Sequence, residues 1–262
     1  MIDLDRFSGI GRLYGASALQ RIAGAHVMVV GIGGVGSWTV EALARSGVGR
    51  LTLVDLDDIC VTNTNRQLHT TAATIGQPKA TVMADRARAI HPGLAVEAVE
   101  DFLTRSTADA LLDRHPDVIV DAIDSLPDKC VLLAGARDRG IAAVTVGAAG
   151  GRRDPTAIRV TDLLRTSHDP LLRRVRRELR AEHGFDPDSS GWQIPAVYST
   201  EPAVYPGADG ETCDRPDPSQ TLRLDCGSGF GTVTMVTGTF GFVAASAAID
   251  RLLAAADPLA LV

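Results

Sequence analysis

The stretch HVMVVGIGGVGS at residues 26–37 joins a short apolar segment to a cluster of glycines. The β-branched run that ends at Val30 is typical of a strand buried on both faces, as in a parallel sheet. The glycines of the cluster, which satisfy the spacing G-x-G-x-x-G, are Gly31, Gly33, Gly34 and Gly36. Glycines between a strand and a helix let backbone N–H groups approach phosphates at the helix N-terminus. The stretch therefore predicts a nucleotide site at the end of a buried strand.

Apolar runs and helical spacing alternate along the chain as far as residue 151. The predicted strands are 26–31, 51–54, 96–99, 118–120 and 143–146, and the predicted helices are 37–45, 78–90 and 127–139. Strands that alternate with helices form βαβ units. We therefore expect an α/β fold, a doubly wound, Rossmann-like and mainly parallel sheet with helices on both faces. Ligands in such sheets bind beyond the C-terminal strand ends, near a switch in strand order.

The length of 262 residues favours a single domain of residues 1–262. Within it, 26–151 form the nucleotide-binding βαβ half. Residues 152–227 contain clusters of Arg, Pro, Asp and Gly, and we interpret them as appended loops with a basic helix. The apolar segment 228–254 then returns as a core helix.

Composition and charge restrict the class of protein. Apolar residues make up 45% and charged residues 22%, as in an ordinary soluble protein, and the net charge of −6 argues against a general polyanion binder. The four cysteines form no C-x-x-C pair, which suits a reducing compartment and predicts a cytoplasmic protein without a paired-cysteine zinc site. The stretch from Cys226 to Ile249 lacks charges over 24 residues, but 11 of them are Gly, Ser or Thr, so we favour a buried helix over membrane association.

Polar groups follow the predicted strands. Asp55 lies 22 residues after Gly33, where an acid accepts hydrogen bonds from a ribose. Arg66 and Lys79 are cations suited to a triphosphate, and an aspartate pair after the fourth strand, Asp121 and Asp124, is suited to Mg²⁺. A dinucleotide needs neither the extra cations nor the metal, whereas nucleotidyl transfer needs both. A dinucleotide-binding oxidoreductase or regulator stays the alternative that uses the glycines alone.

Five motifs in this order resemble the ubiquitin-activating-enzyme-like adenylyltransferases: GxGGxGS at 31–37, DxD at 55–57, NxxRQ at 63–67, GxPK at 76–79 and the aspartate of 121–124. The resemblance implies a homodimer that binds ATP and Mg²⁺ and adenylates a carboxylate. It assigns Asp55 to the ribose and the metal to Asp124, and it includes Asp57 in the nucleotide site. It assigns the phosphates to Asn63, Arg66 and Lys79. Catalysis is assigned to Arg66, Lys79 and Asp124 together with an arginine from the partner protomer, for which Arg12 is the candidate and Arg6 the next.

Longer stretches resemble one branch of that superfamily, the enzymes that cyclise threonylcarbamoyladenosine in tRNA. They include RFSGIGRLYG at 6–15, GAAGGRRDPT at 147–156 and DCGSGFGTVTMVTGTFGF at 225–242. The branch implies ATP-dependent dehydration, in which the threonyl carboxylate is adenylated and the neighbouring carbamoyl group closes a ring. The alternative is activation of a sulfur-carrier or ubiquitin-like protein, against which the missing C-x-x-C pairs count.

The branch needs no protein nucleophile, because the internal one acts at high effective concentration. Cys213 and Cys226 are the candidates for a covalent role, whereas Cys60 and Cys130 are predicted to be packed thiols. A sulfur-transfer protein of a cysteine desulfurase system is a further expected partner.

The tRNA surface is predicted on a basic amphipathic helix, residues 169–180, where arginines outnumber acids. The predicted tRNA contacts are Arg152, Arg153, Arg173, Arg174, Arg176 and Arg177. Trp192 and Tyr198 are the candidates for base stacking.

Overall fold

A sheet of seven strands organises the chain in the computed structural model, which describes residues 2–207, 210–215 and 230–254. Its strands are β1 (His26–Val30), β2 (Arg50–Val54), β3 (Ala95–Val99), β4 (Val118–Asp121), β5 (Ala142–Val146), β6 (Ile158–Asp162) and β7 (Pro195–Ser199). A separate two-stranded hairpin pairs β8 (Tyr205–Pro206) with β9 (Thr212–Cys213). The helices are α1 (Leu4–Tyr14), α2 (Ala16–Gly24), α3 (Gly36–Arg45), α4 (Lys79–Ile90), α5 (Ala108–Leu112), α6 (Leu126–Asp138), α7 (Pro170–His183) and α8 (Thr234–Ala254).

The strand order is β3-β2-β1-β4-β5-β7-β6, parallel except for the antiparallel β6. The chain leaves β1 in one direction towards β2 and β3 and resumes on its other side at β4, so the order reverses between β1 and β4. In this register Val30 lies beside Val54 on one side and Asp121 on the other. The glycine cluster after β1 therefore opens at the switch point, where α/β sheets bind ligands.

Helices cover both faces because successive residues of each strand point to opposite sides. Val27 and Val29 join one core cluster with residues of α2, α3, α4 and α8. Met28 and Val30 join the other with residues of α5, α6 and α7. All four side chains are at most 2% exposed, so β1 is buried on both faces. The predicted doubly wound α/β class is confirmed.

The part after residue 151 differs from the loops and short elements expected there, because it adds two strands to the main sheet. β7 pairs with β5 in parallel, and β6 returns antiparallel to β7. β7 is short and begins at Pro195, so its pattern is hard to distinguish from a loop in the sequence. The predicted basic helix is confirmed as α7.

α8 is the core helix that the sequence predicts. It is long and apolar enough to cross a membrane, yet Val236, Phe240, Ala244 and Ala248 are fully buried in the larger core cluster. Of its most apolar 18-residue window, 61% is buried inside the structure. The segment before α8 is described only from Phe230 onward, so Cys226 lies outside the described residues.

Candidate active site

Close backbone packing explains the glycines after β1. Gly31 has a φ of +87°, and a Cβ there would lie 2.8 Å from the carbonyl oxygen of Ala122. A Cβ at Gly36 would lie 1.8 Å from the carbonyl oxygen of Gly31. The first turn of α3 has no side-chain cap, so the backbone N–H groups at its N-terminus are suited to phosphate oxygens.

Asp55 and Lys79 meet at the end of β2. The Asp55 carboxylate accepts the N–H of Ile32 at 2.6 Å and that of Asp57 at 2.9 Å. Burial raises the pKa of Asp55, and the nearby Lys79 ammonium opposes that rise. The Nζ atom of Lys79 lies 2.7 Å from Oδ2 of Asp57, and the Lys79 side chain is 8% exposed against 55% for Asp57. A buried ammonium is thus fixed beside the strand end where the sequence predicts a nucleotide.

The aliphatic part of the Arg66 side chain packs against the glycine turn at Gly34. A Cβ at Gly34 would lie 3.4 Å from Cγ of Arg66, and the indole of Trp38 donates to the Arg66 carbonyl at 3.1 Å. The Arg66 guanidinium donates to the carbonyl of Thr62 at 2.9 Å, so it remains within its own turn. Asn63 is buried, and its Oδ1 accepts the N–H of Cys60 at 2.9 Å. Asn63 shapes this turn, and its amide oxygen is already used there.

Gln67 and His69 are buried close to the glycines, and the sequence analysis assigned neither a role. The His69 Nε2 atom lies 2.8 Å from the carbonyl oxygen of Ile32, whereas Nδ1 of His69 and Oε1 of Gln67 have no partner among the described residues. Burial lowers the pKa of His69 to about 4, so the ring is neutral near pH 7. In the sequence, only the position of Gln67 and His69 just after Arg66, in one polar turn, indicated that they lie near the nucleotide.

Asp121 is not a metal ligand, which corrects the sequence prediction. Its side chain and that of Lys129 are both fully buried, with Nζ of Lys129 at 2.7 Å from Oδ2 of Asp121. The Thr145 hydroxyl donates to the same oxygen at 2.6 Å. The carboxylate is therefore already neutralised inside the sheet.

Asp124, in contrast, is exposed in the turn that follows β4. The neighbouring Ala122 contacts Gly31, so this turn adjoins the glycines. The described residues contain no group of three or more His, Cys, Asp or Glu side chains able to hold a metal alone. Mg²⁺ commonly binds through one or two carboxylates together with substrate phosphates, and a single accessible carboxylate beside a phosphate loop fits that mode.

Arg12 and Arg6 lie at the opposite edge of the sheet. α1 is anchored by Phe7, whose ring meets His91 edge-on at 4.7 Å and lies against Gly47. His91 lies just before β3 and Gly47 just before β2, so α1 packs at the N-terminal ends of these strands. A strand of five residues spans about 16 Å, and the Arg12 guanidinium turns back along α1, where it donates to the Ser8 hydroxyl at 3.3 Å. Arg6 pairs with Asp3 at 2.8 Å.

The predicted tRNA contacts divide into exposed and buried arginines. Arg153, Arg173, Arg174 and Arg177 are exposed. Arg152 is only 3% exposed, so its prediction as a surface contact is wrong. Arg176 is half-buried and donates to the Thr166 hydroxyl. Together with Arg180, the arginines of α7 line a shallow groove.

The N-terminus of α7 is tied to the loop after β5. Asp169 caps the helix by accepting the N–H of Leu172 at 2.9 Å, and its second oxygen accepts the N–H of Ala148 at 2.9 Å. Ala148 lies just beyond β5, at the same sheet edge as the glycines. The arginine groove therefore starts at the edge of the candidate site.

The candidate stacking residues are largely occupied. Tyr198 is buried, so its prediction as a stacking residue is wrong. The Trp192 ring lies 5.7 Å from the Arg180 guanidinium carbon, and its indole N–H donates to the carbonyl of Asp186 at 2.8 Å. Neither aromatic side chain is freely presented to a base.

The described cysteines differ in burial and in hydrogen bonding. Cys130 is fully buried and burial raises its pKa to about 12, which confirms a packed thiol. Cys60 is half-buried and its Sγ accepts the Thr62 hydroxyl at 3.3 Å. The Cys213 thiol is half-buried in the β8–β9 hairpin and donates to the carbonyl of Arg215 at 2.9 Å.

Comparison with known proteins extends over nearly the whole chain. Residues 8–260 match the ThiF family. The chain is 49% identical over 253 residues to the tRNA threonylcarbamoyladenosine dehydratase of Escherichia coli K12, covering 96% of this chain and 94% of that protein. The crystal structure of the E. coli enzyme with ATP superposes with a TM-score of 0.86 at 45% identity, covering 98% and 97% of the two chains. The crystal structure of the same enzyme with AMP also superposes with a TM-score of 0.86, at 46% identity, and the match covers 97% of this chain and 96% of that one.

Proposed function

The chain belongs to the ThiF family, and from that membership we propose that it catalyses the ATP-dependent dehydration of threonylcarbamoyladenosine in tRNA. The observation that carries the proposal is the set of polar residues around the switch point: the Arg66 stem lies against Gly34, Lys79 lies at the end of β2 beside Asp57, and Asp124 is exposed in the turn after β4, which adjoins Gly31. The similarity to a dehydratase over 96% of the chain includes the segment beyond residue 151, which a shared nucleotide-binding half would not explain.

The reaction begins with attack on ATP. A carboxylate oxygen of the threonyl group bonds to the α-phosphorus, and pyrophosphate leaves. Lys79 and Arg66 are placed to stabilise the negative charge that develops on the phosphates, and preorganised charges of this kind lower the barrier most in a water-poor site. Asp55 is fixed by two backbone N–H groups, which leaves a carboxylate suited to the ribose hydroxyls.

Ring closure follows from within the substrate. The carbamoyl group attacks the activated carbonyl carbon and loses a proton, and AMP leaves with the oxygen that came from the carboxylate. The nucleoside thereby loses one water. An internal nucleophile makes a protein thiol unnecessary, in keeping with the packed Cys130 and the half-buried Cys213.

Mg²⁺ is part of the proposal, with Asp124 as the residue that would hold it. When bound, the metal supplies positive charge to the phosphate oxygens. The same turn is fixed by Asp121, whose Oδ1 accepts the N–H of Ile123 at 3.2 Å. Lys129 and Asp121 therefore position Asp124 without touching the nucleotide.

We further propose a homodimer in which Arg12 of one protomer completes the site of the other. Arg12 is exposed, and Leu13 on the same helix is 75% exposed, an apolar surface that a second copy would cover. Because Arg12 lies at the opposite end of the strands from the glycines of its own chain, it would contact a nucleotide only in the site of the partner protomer.

The tRNA is proposed to approach along the arginine groove of α7. Arg173, Arg174 and Arg177 lie on a helix whose first residues are hydrogen-bonded to the loop after β5. Phosphates on this groove would place the modified nucleoside beside the candidate site. Sulfur-transfer partnership and a cytoplasmic location stay predictions from the sequence.

The proposal is tested by nucleoside mass spectrometry of tRNA that carries threonylcarbamoyladenosine. Incubation with the protein, ATP and Mg²⁺ is expected to remove one water from that nucleoside, and omission of ATP is expected to abolish the change. Lys79→Ala is the matched control, because it should bind tRNA but not adenylate the substrate. An unchanged nucleoside with wild-type protein that binds ATP would reject the proposal and favour a carrier-protein substrate.

A further inference from the structure

Arg152 is a buried cation without an acceptor among the described residues. Its side chain belongs to a residue that is only 3% exposed, and its Nε and Nη1 atoms have no hydrogen-bond partner there. A buried charge that lacks a partner is costly, and arginine remains protonated in proteins. The position is therefore stable only if an anion or another acceptor meets the guanidinium.

Two carboxylates that fix this part of the fold, Glu201 and Asp169, are engaged with backbone N–H groups. Glu201 accepts the backbone N–H groups of Arg153 and Asp154, with distances of 2.9–3.1 Å. Asp169 accepts the backbone N–H groups of Ala148 and Leu172. Both carboxylates fix the loop that carries Arg152, and neither forms an ion pair with it.

The loop of Arg152 shares a wall with the phosphate-binding turn. Gly151 donates its N–H to the carbonyl of Gly231 at 2.8 Å. The next residue, Thr232, accepts the side-chain amide of Asn65 through its carbonyl at 2.9 Å and its hydroxyl at 3.0 Å. Asn65 directly precedes Arg66. Hydrogen bonds through residues 231 and 232 therefore connect the loop that carries Arg152 with the turn assigned to the phosphates.

The strand order places Arg152 across the switch point from Asp55 and Lys79. Asp55 and Lys79 lie at the β2 side of the switch point, and Arg152 follows β5, on the β4 side. In phosphoryl transfer the attacking and leaving oxygens lie roughly in line. A carboxylate held by a residue after β5 would lie across the switch point from Lys79, an arrangement compatible with in-line attack.

On these grounds we propose that Arg152 binds the carboxylate of the threonylcarbamoyl group and presents it to the α-phosphate. The inference rests on the proposed function and deepens it, because it assigns the recognition of the modified nucleoside to one side chain. Arg152 then selects a substrate with a free carboxylate, whereas the exposed arginines of α7 bind any tRNA backbone.

The test compares two tRNAs without ATP: one that carries threonylcarbamoyladenosine and the same tRNA with unmodified adenosine. The ratio of their Kd values isolates the contribution of the modification. Arg152→Met is expected to reduce that preference about tenfold, the scale of a charge-assisted hydrogen bond. The Kd for ATP should stay within twofold. Arg152→Lys, which keeps the charge, should retain part of the preference and serves if the methionine variant folds poorly.

Arg153→Met is the matched control, because its side chain is exposed and should affect both tRNAs equally. An unchanged preference in folded Arg152 variants would overturn the inference, and so would weaker ATP binding with the preference intact, which would make Arg152 a phosphate ligand. Wild-type protein without any preference and without loss of water from the nucleoside would instead reject the proposed function itself.

Discussion

At the scale of single residues, the second lysine of the chain has a role that the sequence did not reveal. Only Lys79 and Lys129 are lysines among the 26 basic residues, a scarcity that indicates a task for a compact ammonium, but only Lys79 was predicted to have a particular one, at the nucleotide. Its ammonium contacts Asp121, Thr145 and the carbonyl of Val146, so it joins the ends of β4 and β5 beneath the site. A compact ammonium with three donors fits this point where a planar guanidinium would not.

Lys129→Met should destabilise the protein strongly, by about 3–5 kcal/mol, because it leaves the Asp121 carboxylate buried and unpaired. The double variant Asp121→Asn, Lys129→Met should be less destabilised than Lys129→Met alone, since no unpaired charge remains. Urea unfolding of the three proteins measures both effects. Equal losses in the single and double variants would show that the pair does not act as a charge pair.

At the scale of elements, α7 is the part whose function is most directly testable. Arg173 and Arg180 are seven residues apart, which is about 10 Å along a helix, a length comparable to a few phosphates. Replacing Arg173, Arg174 and Arg177 with Gln should weaken tRNA binding and reduce the slope of log K against log salt by about 2–3, because each lost phosphate contact lowers that slope by nearly one. Arg176 is left in place, since it holds Thr166.

The control for α7 replaces three exposed arginines elsewhere, Arg45, Arg50 and Arg88, with Gln. It changes the net charge by the same amount on surfaces that do not adjoin the site. Filter binding between low and moderate salt distinguishes the two triple variants. A similar slope in both would reject α7 as the tRNA surface.

Elements with a strong local pattern were predictable from the sequence, and elements fixed by distant contacts were not. β1, β2, β4 and β5 are short apolar runs beside glycines or aspartates, and the structure has them within a residue or two. β7 was missed because its five residues begin with a proline and owe their place in the sheet to pairing with β5.

The site residues also differ in how far they could be predicted. The roles of Gly31, Asp55 and Lys79 could be predicted from the spacing of the motifs. Motif spacing does not show whether an aspartate or an arginine faces solvent, because its burial depends on partners that are remote in the sequence. Asp121 is neutralised by Lys129, and Arg152 is covered in a loop that its neighbours predict to be exposed.

At the scale of the whole molecule, a dimer with shared sites makes a prediction about mixed protomers. We expect a purified heterodimer of Arg12→Ala and Lys79→Ala chains to retain about half of wild-type activity, since a two-fold dimer has two equivalent sites and one of them would keep both residues. A heterodimer of wild-type and doubly substituted chains should be inactive. If Arg12 instead acts within its own chain, the heterodimer of the two single variants should be inactive, and the heterodimer with one wild-type chain should keep about half of the activity.

The central claim is that this site transfers an adenylyl group to the threonyl carboxylate. It is tested most directly with tRNA whose threonylcarbamoyladenosine carries ¹⁸O in both carboxylate oxygens. The attacking oxygen remains on the α-phosphorus when the ring closes, so the account predicts AMP that contains one ¹⁸O atom, seen by mass spectrometry. Unlabelled AMP, with the label in pyrophosphate, phosphate or water, would contradict it.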